Sequence, residues 1–177
     1  ALSTDKACNP VNLYGATKKA NELMAHAYHH LYGLSVTALR YFTVYGQRQR
    51  TYMGFHKFIR ATLRGEPIAV YGDGEQTRDF TFVADAVSAT IAAATRGIPG
   101  RVYNIGGGSR VSVNDVLEMI GRVTGRRPLV RSDAAQKGDM RHTYADTTLA
   151  QRDLGFSPAV SLEQGLAAEY QWLANIL

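Results

Sequence analysis

Residues 11–42, VNLYGATKKANELMAHAYHHLYGLSVTALRYF, place a helical pattern directly before a strand pattern. If residues 11–32 form a helix, small and apolar side chains lie on one side of it and charged or polar side chains on another. The first set is Ala16, Ala20, Leu23, Ala27 and Leu31, and the second is Lys19, Glu22, His26 and His29. Gly33 is typical of the residue that ends a helix. Residues 35–42 are rich in β-branched and aromatic side chains, which favours a mostly buried strand. A helix followed at once by such a strand is the basic unit of an α/β fold.

The rest of the chain repeats this alternation. Further helices are predicted near residues 55–63, 85–96 and 113–124, shortly after Asp146, and at 162–173. Strands or extended segments are predicted at residues 68–71, 79–83, 101–105 and 129–131, with a turn at Gly72-Asp73-Gly74. The sequence has no internal repeat, low-complexity segment or clear linker. The predicted class is therefore α/β.

Composition limits the kinds of protein this chain can be. With 177 residues, of which 45% are hydrophobic and 20% charged, it matches a globular protein and not a disordered one. No apolar run approaches the roughly 20 residues that span a bilayer, and no signal pattern opens the chain, so we predict a cytoplasmic protein without a membrane partner. Cys8 is the only cysteine and is expected to be a structural thiol.

The net charge of +5 and the pI near 9.4 favour an anionic partner. The basic residues are scattered and are not interleaved with aromatic side chains, which argues against nucleic acid and leaves a phosphorylated small molecule. Helical spacing also brings together His26, His29 and His30. We predict a solvated helix face there and no metal site.

Tyr14 and Lys18 stand four residues apart in YGATK, so a helix would place both side chains on one face. An ammonium beside a phenol stabilises the phenolate, the form in which a tyrosine acts as a base. The pattern alone is weak, because any exposed helix with Tyr-x-x-x-Lys looks the same. The hypothesis therefore depends on the segments that follow.

Those segments are LRYFTVYG at 39–46, GEPIAVYGDGEQTRDFTFVADAV at 65–87, VYNIGGG at 102–108 and GDMRHTYADTTLAQRDLGF at 138–156. In this order they resemble the extended short-chain dehydrogenase/reductase family, specifically its nucleotide-sugar 4-epimerases and 4,6-dehydratases. The resemblance extends over essentially the whole chain.

The resemblance implies the C-terminal part of an NAD-binding Rossmann-type fold together with its small substrate-binding α/β lobe. Residues 1–45 and 79–105 would complete the Rossmann sheet, and residues 46–78 and 106–177 would form the lobe. The family's N-terminal half, with its Gly-rich turn, is absent from this sequence. Gly106-Gly107-Gly108 does not replace that turn, because it lacks the spacing and the later acidic residue. We therefore expect part of a longer enzyme or a truncated relative.

The family's catalytic and cofactor residues match four positions. Tyr14 would be the catalytic base, and Lys18 would support it and hold the nicotinamide ribose. Thr4 would bond the sugar hydroxyl that is oxidised. Tyr41 would lie on the nicotinamide side of the cofactor.

Five further positions match the family's substrate residues. Arg78 would bind the diphosphate, for which a guanidinium fork is suited, and Asp139 would hold the nucleotide ribose. Thr43 would face the sugar, and Tyr71 would lie near the uracil ring. Arg50 resembles an arginine of the UDP-glucuronate 4-epimerase branch, where a guanidinium could meet the substrate carboxylate.

The implied activity is that of an NAD-dependent 4-epimerase for UDP-glucuronate or UDP-glucose, acting through a transient 4-keto sugar. Two alternatives stay open. The opening STDKA resembles the inverting UDP-N-acetylglucosamine 4,6-dehydratases, in which Asp5 and Lys6 would be catalytic. A chain without the cofactor half could instead be a UDP-sugar-binding lobe without activity. The resemblance further implies a homodimer of the full-length enzyme and a role in carbohydrate metabolism.

Overall fold

The computed structural model describes residues 2–134 and 140–177, with residues 2–5 described by their backbone alone. The helices are α1 (Leu13–Tyr32), α2 (Gly54–Arg64), α3 (Val83–Arg96), α4 (Val113–Thr124), α5 (Thr148–Leu154) and α6 (Leu162–Ala174). The strands are β1 (Leu2–Thr4), β2 (Ala38–Tyr41), β3 (Val44–Tyr45), β4 (Pro67–Tyr71), β5 (Thr77–Arg78), β6 (Thr81–Phe82), β7 (Val102–Ile105), β8 (Val111–Ser112) and β9 (Leu129–Asp133), and a 3-10 turn spans Asp5–Ala7.

The largest sheet in the described part of the chain has three parallel strands in the order β1-β2-β7. Its register pairs Thr4 with Tyr41 and Tyr41 with Ile105, so these three residues lie side by side at the carboxyl ends of the strands. Ligands of parallel α/β sheets bind at such an edge. The helix pattern at 11–32 is confirmed as α1, which connects β1 to β2.

The two faces of this sheet are covered differently. Leu39 on β2 and Tyr103 and Ile105 on β7 pack against α3 and α5 in one hydrophobic core. The helices supply small and aliphatic side chains to this core: Ala89, Ala92, Ala93, Ala150 and Leu154. The opposite face carries Arg40, which lies under α1.

A second core joins α2, α4 and α6 and is centred on aromatic rings. Tyr45 meets Phe55 and Phe82 edge-on, with ring centres 5.0 and 5.6 Å apart, an arrangement that aromatic pairs prefer. Leu166 and Leu173 of α6 fill the other side of this core. The short strand pairs are β3 with β6, β4 with β9 and β5 with β8, and Ile68 and Val70 of β4 pack with Leu117 in a third core.

Most predicted elements are confirmed, with three kinds of difference. The two-residue strands β3, β5 and β8 were not predicted, because a strand that short shows no periodicity. The helix predicted from Asp85 begins at Val83, and Asp85 instead accepts the backbone N–H groups of Ala159 and Val160. In α1 the apolar side is exposed, and the polar side faces the sheet at Glu22.

The division into residues 1–45 with 79–105 and 46–78 with 106–177 stays a proposal. One helix bears on it: α5 lies within 106–177, yet it packs on α3 and β7 of the large sheet. No helix among the described residues is both long enough and apolar enough to cross a membrane.

Candidate active site

The first two turns of α1 present Tyr14 and Lys18 on one face. Asn12 caps the helix, its Oδ1 accepting the N–H of Gly15 at 2.8 Å. The Lys18 ammonium lies 5.8 Å from the centre of the Tyr14 ring, and the phenol is 54% exposed. A cation beside an open phenol is the arrangement that general base catalysis by tyrosine requires.

Close backbone packing places the start of α1 over the end of β1. A Cβ atom at Gly15 would come within 2.6 Å of the Lys6 carbonyl oxygen, so α1 rests directly on the 3-10 turn Asp5–Ala7. Thr4 is the last residue of β1 and immediately precedes that turn. The backbone thus brings Thr4 close to the start of α1, and the roles of Thr4, Asp5 and Lys6 stay predictions.

Tyr41 ends β2 beside Thr4. Its hydroxyl lies 2.6 Å from Oγ1 of Thr90 on α3, and its ring borders the core on that face of the sheet. Because the hydroxyl is already engaged there, a contact with nicotinamide would use the ring or the backbone. That role stays a prediction.

Thr43 and Arg78 line one cavity of about 160 Å³. Its remaining walls are mostly apolar and include Met53, Phe58 and Phe80. Arg78 donates Nη1–H to the carbonyl oxygen of Thr77 at 2.9 Å, which helps to fix the orientation of its guanidinium. An apolar pocket with a few placed polar groups is the usual form of a small-molecule site.

Gln49 also lines this cavity, a position that was not predicted from the sequence. Its Oε1 accepts the N–H of His56 at 3.0 Å, and its Nε2 donates to the Val44 carbonyl at 3.2 Å. The side chain therefore holds the loop between β3 and α2 in place. Its position in the polar stretch QRQRTYMG gave no signal of this role.

Arg50 and Tyr71 lie in neighbouring depressions. Arg50 borders a cavity of about 280 Å³ together with Gln49 and Met53, which also line the Thr43 cavity. Its Nη1 donates to the Tyr52 hydroxyl at 2.6 Å. Tyr71 borders a further cavity of about 340 Å³ that shares Phe58 with the Thr43 cavity. The four predicted substrate residues that the structure describes thus surround adjoining cavities.

The loop after the undescribed residues 135–139 is tied to the Gly72–Gly74 turn. Arg141 donates two N–H bonds to the Asp73 carboxylate, at 2.9 and 2.6 Å, and holds the pKa of that carboxyl below its ordinary value. The Arg141 carbonyl lies 3.4 Å from Nη1 of Arg78. Asp139, predicted to hold the nucleotide ribose, lies outside the described residues.

Asp79, next to Arg78, is fully buried. Its carboxylate accepts the N–H groups of Gly107 at 2.7 Å and Ala145 at 3.1 Å. Burial raises the pKa of this carboxyl, against the effect of the backbone N–H groups. A Cβ atom at Gly107 would collide with the Phe80 carbonyl oxygen. The glycines at 106–108 therefore permit close packing around Asp79.

A second buried carboxyl lies behind the Gly46 loop. Glu169 of α6 is fully buried and accepts the N–H of Gly46 on Oε2 at 3.0 Å. Among the described atoms, its Oε1 has no hydrogen-bond partner. Burial raises the pKa of Glu169 to about 7. No sequence pattern marks this residue as buried, because a glutamate on a terminal helix ordinarily faces water.

The family model described as "NAD dependent epimerase/dehydratase family" matches residues 2–106. The chain belongs to this epimerase/dehydratase family. Its match includes β1, Tyr14, Lys18, Thr43 and Arg78.

Individual members of the epimerase/dehydratase family are similar over nearly the whole chain. The UDP-glucuronate 4-epimerase of Thermodesulfobacterium geofontis is 38% identical over 168 residues, which are 94% of this chain and 52% of that protein. The Bacillus cereus UDP-glucuronic acid 4-epimerase in complex with UDP-glucuronic acid and NAD matches with a TM-score of 0.95 and 36% identity, over 99% of this chain and 61% of that one.

A third relative is MoeE5 in complex with UDP-glucuronic acid and NAD. It matches with a TM-score of 0.95 and 43% identity, covering 99% of this chain and 64% of that chain. The present chain spans about half the length of the curated relatives it matches.

Proposed function

We propose that this family member provides the catalytic tyrosine and the substrate pocket of an NAD-dependent UDP-sugar 4-epimerase of the UDP-glucuronate type. The supporting observation is the position of the segment after β2. Tyr41 ends β2 beside Thr4, and two residues later Thr43 lines the same cavity as Arg78. This short segment thus joins the strand end beside Thr4 to the cavity that Arg78 lines.

The residues present fit the nicotinamide end of NAD. Lys18 and the exposed Tyr14 hydroxyl are donors suited to ribose hydroxyls, and they lie near the carboxyl edge of a parallel sheet, where nucleotides bind. When bound, NAD would accept a hydride reversibly. The dinucleotide's other end would need residues outside those matched here, as the shared length with the relatives implies.

The chain's own residues would move the proton. Tyr14, as phenolate, takes the proton of the sugar 4-hydroxyl while the hydride leaves C4, which gives the 4-keto sugar. After the 4-keto sugar rotates in the pocket, the hydride would return to the opposite face of C4, and Tyr14 would give its proton back to O4. The Lys18 ammonium stabilises the phenolate form of Tyr14, which is present before the proton is taken and again after it is returned. Thr4 would bond the same hydroxyl.

The adjoining cavities would hold the rest of the substrate. Arg78 would bind the diphosphate through its guanidinium fork. Thr43 and Arg50 would meet the glucuronate carboxylate, and Tyr71 would lie against the uracil ring, with Asp139 on its ribose. Two relatives are complexed with UDP-glucuronic acid, which supports this sugar, and MoeE5 is also complexed with UDP-glucose.

The direct test uses the polypeptide expressed from its complete reading frame. With NAD and UDP-glucuronate, NMR should detect UDP-galacturonate. A 4-keto-6-deoxy product from UDP-N-acetylglucosamine that is lost on Asp5→Asn or Lys6→Ala would instead establish the dehydratase. Binding of UDP without NAD and without any product would establish the inactive lobe. The purified 177-residue chain, tested in parallel, shows whether these residues suffice.

A homodimer is also proposed, through the exposed apolar side of α1. Leu23, Tyr28 and Leu31 are 60, 55 and 68% exposed, and a contiguous apolar face of this kind usually contacts another protein surface. The cytoplasmic location and a role in carbohydrate metabolism stay predictions, to be checked by fractionation and by metabolite analysis of a deletion strain.

A further inference from the structure

Helix α1 is held on the sheet in an unusual way. Gly15 and Glu22 are its buried residues, whereas large apolar side chains such as Leu23 and Leu31 are exposed. Helices on sheets are ordinarily held by an apolar stripe. Here the side of α1 that faces the sheet carries a glycine and a carboxylate instead.

The carboxylate of Glu22 is bound by Arg40 of β2 in a two-pronged ion pair. Arg40 donates Nε–H to Oε1 and Nη2–H to Oε2, both at 2.7 Å. The side chains are only 4% and 17% exposed. Arg40 further donates Nη1–H to Sγ of Cys8 at 3.3 Å. One guanidinium therefore connects the strand, the helix and the segment after β1.

The two buried positions lie close to the candidate catalytic pair along the helix. Gly15 directly follows Tyr14 and rests on the Lys6 carbonyl, and Glu22 lies four residues, about one turn, beyond Lys18. A helix fixed at both points cannot slide or roll without moving the phenol and the ammonium. A misplacement of about 1 Å can cost roughly 100-fold in rate.

We propose that Glu22 and Arg40 are positioning residues, which hold α1 at the height and rotation that bring Tyr14 to the sugar and Lys18 to the nicotinamide ribose. This inference rests on the proposed function. The fork geometry matters because two parallel N–H···O bonds fix an angle as well as a distance. A lysine at position 40 would keep the charge and lose that angle.

The test compares Glu22→Gln and Arg40→Lys with a matched ion pair in the complete polypeptide. The control pair joins Arg101, just before β7, to Asp153 of α5 at 2.5 Å, with Asp153 just 7% exposed. We expect Glu22→Gln and Arg40→Lys to lower kcat for UDP-glucuronate about 10- to 100-fold, to leave KM within about threefold, and to change the pH profile of kcat. Arg101→Lys and Asp153→Asn should leave kcat and its pH profile unchanged.

Hydrogen–deuterium exchange gives a readout that needs no turnover. Amides of residues 14–22 should exchange faster in Glu22→Gln than in wild type, and at wild-type rates in Asp153→Asn. Unchanged kcat in both Glu22→Gln and Arg40→Lys, or an equal loss in the control variants, would overturn the proposal. If wild type itself turns over no UDP-sugar, the proposed function fails. Hydrogen–deuterium exchange then decides alone. Faster exchange in Glu22→Gln supports the role of Glu22 and Arg40 in holding α1, and unchanged exchange refutes it.

Discussion

Tyr14 can be tested by removing a single oxygen atom. Tyr14→Phe should lower kcat by about 10²- to 10⁴-fold, the usual contribution of a positioned acid–base group. UDP binding should persist, because Arg78 and Thr43 line a separate cavity. Kinetics with UDP-glucuronate and calorimetry with UDP measure the two effects. Tyr28→Phe is the matched control on the same helix, since Tyr28 is equally exposed at 55%. An active Tyr14→Phe enzyme would exclude Tyr14 as the base.

Glu169 predicts a pH dependence of stability. Its pKa rises from the ordinary 4.5 to about 7 on folding, so between these pH values the folded state binds more protons than the unfolded state. The free energy of unfolding therefore falls as pH rises through this window, by up to about 3 kcal/mol for this group. Glu169→Gln should remove that loss, so its stability relative to wild type should increase from pH 5 to pH 8.

Urea unfolding at pH 5, 6, 7 and 8 measures this difference. Glu163→Gln is the control, because Glu163 lies on the same helix but is half exposed and pairs with Arg122 on the surface. Parallel stability curves for wild type and Glu169→Gln would show that Glu169 titrates normally. Glu169 also contacts the proposed substrate region, because it accepts the N–H of Gly46 and Gly46 begins the loop that carries Gln49 and Arg50.

At the scale of elements, α4 depends on its cap. Ser112 accepts the N–H of Asp115 at 3.0 Å, and Asp115 accepts the N–H of Ser112 at 3.2 Å, which forms a capping box. Ser112→Ala should lower the free energy of unfolding by about 1 kcal/mol, and Ser161→Ala at the capping box of α6 by a similar amount. Chemical denaturation checks both.

The exposed Ser157→Ala serves as the control for the caps and should change stability by less than about 0.5 kcal/mol. Equal values for all three variants would mean that these caps contribute nothing specific.

The element boundaries were predictable for a related reason. Ser112 and Ser161 before helices, and Gly33, Gly65 and Gly125 after them, act through local geometry, which a sequence pattern retains.

For the whole molecule, the exposed side of α1 predicts the oligomeric state. Leu31→Glu should convert the proposed homodimer of the complete polypeptide into a monomer, because a charge would be buried in an apolar contact. Ile91→Glu is the control: Ile91 is 62% exposed on α3, over the opposite face of the sheet, and should leave the dimer intact. Light scattering after size-exclusion chromatography measures both masses. A wild-type monomer would exclude this use of α1.

The sequence by itself determined the α/β class and the main helices and strands, and its resemblance to the family supplied the predicted site residues Tyr14, Lys18, Thr43 and Arg78. These depend on periodicity and on short motifs, which are properties of neighbours in the chain. The partners of charged side chains depend on distant residues. Glu22 meets Arg40 across 18 positions, and Glu169 meets Gly46 across 123.

Only the tertiary structure therefore decided which side of α1 faces the sheet and which carboxyls are buried. The helical pattern places Leu23 and Leu31 on one side of α1 and Glu22 on another, and the side with the glutamate is the buried one. The physical reason is that a charged side chain can be buried once an opposite charge with matching geometry compensates its lost hydration. That compensation comes from the fold, so the way α1 packs on the sheet could not be derived from the sequence of the helix alone.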